Sequence, residues 1–510
     1  MFKFTADKNK RNNINEQKDS PLQFSGSIDK NISLLTSILS GDDTVVYRNF
    51  DIKTKPSVKC CIVFIEELTS NKVLNDDVLR PLMRIREDVA KKELPDFMLK
   101  NIIHSYIIKK GTDIDELIGS ILCGDSVLLI DGIKEALIIR SRGWQSRQVS
   151  EPVSENVVRG PREGFTESIK INMSLIRRRL KNPGLKFEFM TVGTKTQTEI
   201  TICYLEGCAN DKILSELRTR LNGIKIDGIL ESGYIEELIK DNPISPFKTI
   251  GNTERPDTVV GKLLEGRIAV ICDGTPFVLT LPFIFLEHFQ SSEDYYNSYI
   301  YGSFNRLIRI LGFFLTTSIP ALYVGLVAFH QEMIPTPLFF SIIAAREGVP
   351  FPTPLEALMM LFIFEVIREA GIRMPSAIGQ AVSIVGALVL GEAAVTARVI
   401  SAPIVIVIAL AGINSLLLPK MLGPLVIMRV ILLLLSSVLG VYGYIFGIIF
   451  FFIHLMSIES FGTPYMSNIN SISKYEIQDS ALRAPWWYTY YKPVFVSDKS
   501  RDPKKGGVNK

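Results

Sequence analysis

Four charged residues in a largely apolar stretch, Glu365, Arg368, Glu369 and Arg373, are the first candidates for chemistry in this chain of 510 residues. Charge in such a segment is costly and, where it persists, faces protein or water. On a helix Glu365 and Arg368 stand i,i+3 and Glu369 and Arg373 stand i,i+4, so the four can neutralise one another. The competing reading is a charged vestibule at a pore mouth, with Glu392 as a further member. Downstream, Gly379, Ser383 and Gly386 follow a four-then-three spacing that places them on one stripe of a helix, continuing through Leu390 to Ala393 and Ala397. Small residues let helices approach closely. Several copies around an axis would also leave a narrow apolar passage, with Val382, Val385 or Val389 as the constriction. Glu392 lies half a turn away from Ser383 at about 3.6 residues per turn, so one straight helix cannot aim both at a pore. Either Gly391 breaks the helix or Glu392 faces a neighbour such as Arg398 or Arg373.

The remaining reactive side chains form no catalytic pattern. The sequence has no Gly-x-x-x-x-Gly-Lys-Ser/Thr phosphate loop and no Gly-x-Ser-x-Gly elbow, and His104, His288, His330 and His454 are scattered. The expectation is therefore a protein that is not an enzyme, with no cofactor and no metal site. His330 and His454 sit at the ends of apolar segments and read as interfacial imidazoles. Cys60, Cys61, Cys123, Cys203, Cys208 and Cys272 include no Cys-x-x-Cys pair, and read as reduced residues in the cytosol. Glu151, Pro152, Glu155 and the run Arg159, Gly160, Pro161, Arg162, Glu163, Gly164, Phe165 combine fixed turns with charge, which alone describes a charged loop.

Composition separates two unlike regions that must carry these residues. From Ile310 to Ile458 the chain holds six of its 53 acids and six of its 57 bases. This split excludes an ordinary soluble enzyme and a carrier with short loops only, and a net charge of +4 gives no field for nucleic acid. Residues 1–30 read as a disordered polar N-terminus without a signal peptide. The pattern then predicts an α/β or α+β cytoplasmic domain of two lobes, residues 31–145 and 166–300, joined by a long loop at 146–165. Strands are expected at Cys60 to Ile65, Ser126 to Ile130 and Glu135 to Arg140, with a hairpin at Asp131-Gly132. Others follow at Lys186 to Val192, Glu199 to Leu205, Arg267 to Cys272 and Pro276 to Leu281. Helices are expected at Asp76 to Asp88, Asp113 to Leu122, Thr166 to Lys181 and Asp211 to Leu221.

Residues 301–460 read as a polytopic α-helical membrane domain of four to six spanning or re-entrant helices. Ile310 to Gln331 has no Asp, Glu, Lys or Arg and is long enough to span a hydrocarbon core. Ile334 to Pro354 is broken by prolines and reads as re-entrant or interfacial. Leu355 to Gly371, Pro375 to Ala397 and Val399 to Pro419 are further spans. Val430 to Ile458, with its flank from Gly423, is too long for one untilted crossing. The tail, 461–510, carries Trp486, Trp487 and Tyr488 as interfacial anchors, and both ends are expected in the cytoplasm.

Six strings taken in order resemble the A-subunit family of bacterial spore germinant receptors, the GerA family. They are EPVSENVVRGPREGF (Glu151 to Phe165), INMSLIRRRLKNPGL, LLEGRIAVICDGTPFVLTLP (Leu263 to Pro282), QSSEDYY (Gln290 to Tyr296), PFPTPLEALMM, and FEVIREAGIRMPSAIGQAVSIVGALVLGEAAV (Phe364 to Val395). The resemblance runs from about Leu34 to Tyr465. It implies a multi-pass protein of the spore inner membrane with a cytoplasmic N-terminal domain, acting with a transporter-like B subunit and a lipoprotein C subunit. It further implies a homo-oligomer of A subunits in membrane lipid that forms a nutrient-gated ion channel, with the Pro375 to Ala397 helix as its wall. The family pattern often has Gln where Glu392 stands here, and the first thirty residues and the tail after Met466 match poorly. Other readings are a related family branch that amplifies ion release without sensing nutrients, a non-conducting scaffold, and a secondary transporter. Against the transporter stands a single interrupted segment without an internal repeat.

Overall fold

The computed structural model describes residues 24–54, 57–66, 68–85, 93–103, 108–143, 151–152, 154–374, 391–467 and 481–486. The chain divides into two compact units, Met1–Val149 with Ser168–Phe189, and Ser150–Glu167 with Met190–Lys510. The stretch Ser150–Glu167, which carries most of the charged loop, is thus clustered with the second unit although the chain on both sides of it belongs to the first.

The first unit is built on a five-stranded sheet in the order β1-β2-β4-β5-β3. Its strands are β1 (Val45–Ile52), β2 (Val58–Ile65), β3 (Ile108–Gly111), β4 (Ser126–Ile130) and β5 (Ala136–Ile139), and every neighbouring pair is antiparallel. β2 and β4 are continuous apolar runs because both faces are covered. Leu35, Leu117 and Ile121 lie on one side, with α1 (Ile28–Ile38) and α2 (Ile114–Leu122), while Leu74, Val78 and Leu82 lie on the other. Asp113 caps α2 by accepting from the Asp115 amide, as an N-terminal Asp should. The expected helix over Asp76 to Asp88 instead begins as a wide π-turn, Val73–Leu79, and continues as Arg80–Met83; Asp88 lies outside the described residues. Helix α3 (Ile169–Arg179) completes the unit and carries Arg177, whose guanidinium is buried against Asp42 and lies over the Phe187 ring.

Strand β6 (Leu185–Val192) takes the chain from the first unit into the second. There, β7 (Thr198–Leu205), β8 (Gly251–Thr253), β9 (Ile268–Cys272) and β10 (Val278–Leu281) form antiparallel neighbours in the order β7-β9-β10-β8. The β9–β10 turn at Asp273-Gly274 places Gly274 at φ +85°, a conformation that suits glycine. Helices α4 (Asp211–Asn222), α5 (Ser232–Ile239) and α6 (Pro256–Glu265) accompany this sheet; Leu217, Leu221 and Ile235 pack with Ile202 and Val270 in its core.

The same unit continues into apolar helices. Among the described residues two of them are long and apolar enough to cross a membrane: α7, Tyr299–Phe329, and the segment Pro419–Leu439. Three shorter apolar helices accompany them: α8 (Thr336–Arg346), α10 (Ala402–Ser415) and α12 (Val441–Ser457). Helix α9 spans Thr353–Arg373 and α11 spans Leu422–Leu439. The overlong apolar run from Gly423 is broken at Gly440, at φ +62°, so α11 and α12 form two helices rather than one. A Cβ at Gly440 would lie 2.8 Å from His330 and from Phe329, which makes this glycine a packing requirement as well as a turn. Small residues bring α7 against α11: a Cβ on Gly325 would meet Ser436 Oγ at 2.7 Å, and Ser436 Oγ donates to the Ala321 carbonyl at 2.6 Å. At the base of the helices Phe247, Phe283, Phe285 and Phe289 share one apolar cluster with Phe313, Met421 and Leu425.

Candidate functional site

Glu155 anchors the charged loop. Its carboxylate accepts from Thr253 Oγ1, from the Glu254 amide at 3.2 Å, and from Lys420 Nζ in the short turn Pro419–Met421 that precedes α11. Burial pushes the Glu155 pKa up, but the adjacent Lys420 charge and these hydrogen bonds hold it below the ordinary carboxylate range. The loop is fixed on both sides of Glu155. Ser154 donates from its amide and hydroxyl to Glu254, and Arg255 donates to the carbonyls of Glu155 and Pro161 while pairing with Asp257. Asp257 also accepts from the Tyr296 hydroxyl. Gly160, at φ +147°, packs so closely on the Tyr296 ring that a Cβ would lie 2.8 Å from it. Phe165 is buried and its amide donates to the Glu254 carbonyl at 2.7 Å. Glu151 and Arg162 form an exposed ion pair at 3.3 Å. Pro152 and Gly164 are buried, Glu163 is half-buried, and Arg159 is exposed.

Beside the loop, Glu287 gathers two buried cations. It accepts from Lys262 Nζ at 2.7 Å and Arg267 Nη1 at 2.6 Å, and from the Ile284 amide at 2.8 Å. Burial opposes the Glu287 charge, yet Arg267 and Lys262 keep its pKa low, while burial lowers that of Lys262. The next residue, His288, contacts the Tyr465 hydroxyl at 2.9 Å through Nε2, and burial pushes its imidazole down to about 3. Asp294 closes the group with Arg309 and Arg306. A cleft of about 1320 Å³ lies here, and its lining includes Glu155, Lys262, Glu287, His288, Arg309 and Lys420. Strings far apart in sequence therefore meet here: the 151–165 loop, the Leu263 to Pro282 segment and the Gln290 to Tyr296 segment.

Within the apolar helices the pairs foreseen by spacing form. Arg368 Nη2 stands 2.5 Å from Glu365 Oε2, and Arg373 pairs with Glu369 at 2.7 Å. Glu365 in addition accepts from the fully buried Arg429 of α11, a partner that periodicity along one helix does not reveal. Glu369 and Arg373 are exposed, and Glu392 is exposed and stands apart from Glu365 in the ion-pair pattern. Glu356, inside the PFPTPLEALMM string, is the buried acid that sequence reasoning passed over. It accepts from Arg346 at 3.1 Å and from the Ser401 amide and hydroxyl at 3.0 and 2.7 Å. The pore-lining candidates Gly379, Val382, Ser383, Val385, Gly386 and Val389 lie outside the described residues. All six cysteines are free thiols, and no cluster of metal-ligating side chains occurs among the described residues.

An N-terminal α/β region continued by apolar helices, with a partly exposed ion pair joining a charged loop to a helix turn, defines a protein class built around a membrane-capable helical region. Residues 33–495 match the Bacillus/Clostridium GerA spore germination protein family, and the chain belongs to that family. It is 42% identical over 493 residues to spore germination protein KA of Bacillus subtilis (strain 168), covering 96% of this chain and 90% of that protein. It is 39% identical over 444 residues to spore germination protein GerLA of Bacillus cereus, covering 86% of this chain and 90% of that protein. The crystal structure of the N-terminal domain of the A subunit of the Bacillus megaterium spore germinant receptor GerK3 is 36% identical, covering 52% of this chain and 98% of that domain at a TM-score of 0.41.

Proposed function

We propose that this chain is the A subunit of a nutrient germinant receptor of bacterial spores, and that copies of it form a nutrient-gated ion channel in the spore inner membrane. It would act with a transporter-like B subunit and a lipoprotein C subunit, with its α/β region in the cytoplasm. The observation that carries this reading is similarity to spore germination proteins along almost the whole chain, helices included. Support also comes from the Glu155–Lys420 ion pair, which ties the charged loop to the turn entering α11. A nutrient bound by a partner subunit shifts a closed-to-open equilibrium only if it prefers the open state. Such a preference could reach α11 through this pair. The conduction path in this reading is the Pro375 to Ala397 helix, with Glu369 and Glu392 available as charges near its mouth and Val385 as a constriction.

The test is nutrient-triggered potassium release from spores carrying wild-type or Val385→Trp protein, with membrane abundance checked by immunoblot. The expected outcome is loss of release at equal abundance. Unchanged release would remove this helix from the pore and favour a partner-borne pathway.

A further inference from the structure

Buried charge in the apolar helices does not balance around Glu365. This single carboxylate meets two guanidinium groups, Arg368 on its own helix and Arg429 on α11. The Arg429 side chain has no exposure, and those of Arg368 and Glu365 are 20% and 18% exposed. The trio therefore carries a net charge of one positive unit. Nε and Nη1 of both arginines are buried and have no hydrogen-bond partner among the described residues. A guanidinium has five N–H donors in a fixed fork, and an uncompensated buried charge is strongly destabilising. Among the described residues no second negative group reaches the cluster.

The acids of the helical region do not supply it. Glu356 is taken by Arg346 and Ser401, and Glu369 by Arg373. Glu332, Glu347 and Glu392 are exposed. The stretch from Pro375 to Leu390 contains neither Asp nor Glu. We infer that the Arg368–Glu365–Arg429 cluster is a binding site for a small monovalent anion of the halide class, held by one unpartnered N–H donor from each of the two arginines. One negative unit neutralises the cluster, whereas a divalent oxyanion would invert its charge. The complete burial of Arg429 favours an ion without a bulky headgroup. With the ion bound, α9 and α11 are pinned together by a neutral set of contacts.

The test uses the purified full-length protein in detergent, unfolded by heat in sodium chloride or in sodium isethionate at equal ionic strength. The wild-type protein is expected to gain a shift of about 2–3 °C, growing with the logarithm of chloride concentration, when chloride reaches about a hundredfold above its Kd. Bromide should substitute for chloride. Arg368→Gln leaves one guanidinium and one carboxylate, so its unfolding temperature should no longer distinguish chloride from isethionate. Glu365→Gln leaves two guanidinium groups and should depend on chloride more steeply than the wild type. No chloride-specific shift in the wild type, or an equal shift in Arg368→Gln, would overturn the site. Should Glu365→Gln fail to fold, the contrast between wild type and Arg368→Gln still decides. The readout involves no ion flux and is independent of whether the chain conducts.

Discussion

Glu287 and Glu365 each meet two basic side chains, yet their surroundings differ. Glu287 also accepts a backbone amide, and its cation Lys262 bonds to Thr280 Oγ1 as well. Arg267, its other cation, is shared with Glu265 and the Pro282 carbonyl. Around Glu365 the arginines keep donors without a partner among the described residues. A buried charge cluster on the α/β side can recruit turns and strand ends whose carbonyls and hydroxyls are open to it. On an α-helix those backbone groups are consumed by the helix itself, so a cluster between helices has only side chains to draw on. The group around Glu287, with Glu265 as its second acid, is thus closed, and the group around Glu365, with one acid for two arginines, is open.

The largest effect expected from breaking this comparison is Glu287→Ala. It would remove the carboxylate that Lys262 shares with the buried Arg267, costing about 3–5 kcal/mol, and thermal unfolding in detergent should fall well below the wild type. The reciprocal ion pair at Glu155 is partly open, with Lys420 a third exposed at 33%. Lys420→Glu should therefore cost less in stability while lowering the rate of nutrient-triggered germination several-fold. The double exchange Glu155→Lys with Lys420→Glu should recover part of that rate. No recovery at normal abundance would show that the pair does not act as a link.

A third effect follows from His288. Its imidazole is neutral in the folded protein down to about pH 3, whereas an unfolded one binds a proton near pH 6.5. Between these values the unfolded state holds the extra proton, so stability is complete above pH 6.5 and falls as pH drops through this window. The slope approaches about 1.4 kcal/mol per pH unit, and His288→Phe should flatten the pH dependence of unfolding over this range. The smallest effect belongs to the exposed pair Glu369 and Arg373. Arg373→Ala should change stability by less than about 0.5 kcal/mol, measured in the same unfolding assay.

How far such features could be read in advance depended on how locally they are encoded. Ser126 to Ile130 and Asp131-Gly132 announced a buried strand and its hairpin, since an apolar run and a glycine at φ +84° suffice. β1 escaped notice because Arg48, Asn49 and Asp51 interrupt its apolar residues. β8 has only three residues, too few for a period. The length of the run after Gly423 showed that one crossing could not hold it, but the position of the break rests on the contact of Gly440 with His330 and Phe329. For the site, helix spacing gave Glu365 with Arg368 and Glu369 with Arg373. Lys420 and Arg429 were invisible as partners because their contacts join remote segments, and no local pattern records such an encounter.

The close fit of α7 to α11 also bears on the order in which the chain is made. Helix α7 presents Thr316, Thr317 and Gly325 on its buried side, and its acceptor at Ala321 is met by Ser436. That hydroxyl belongs to a segment synthesised only after α8, α9 and α10. Throughout the interval the ribosome has delivered the polar stripe but not its cover, so the side of α7 that carries Thr316, Thr317 and Gly325 waits for Ser436. Truncation before Leu422 would then leave an assembly intermediate whose first long apolar helix lacks its cover.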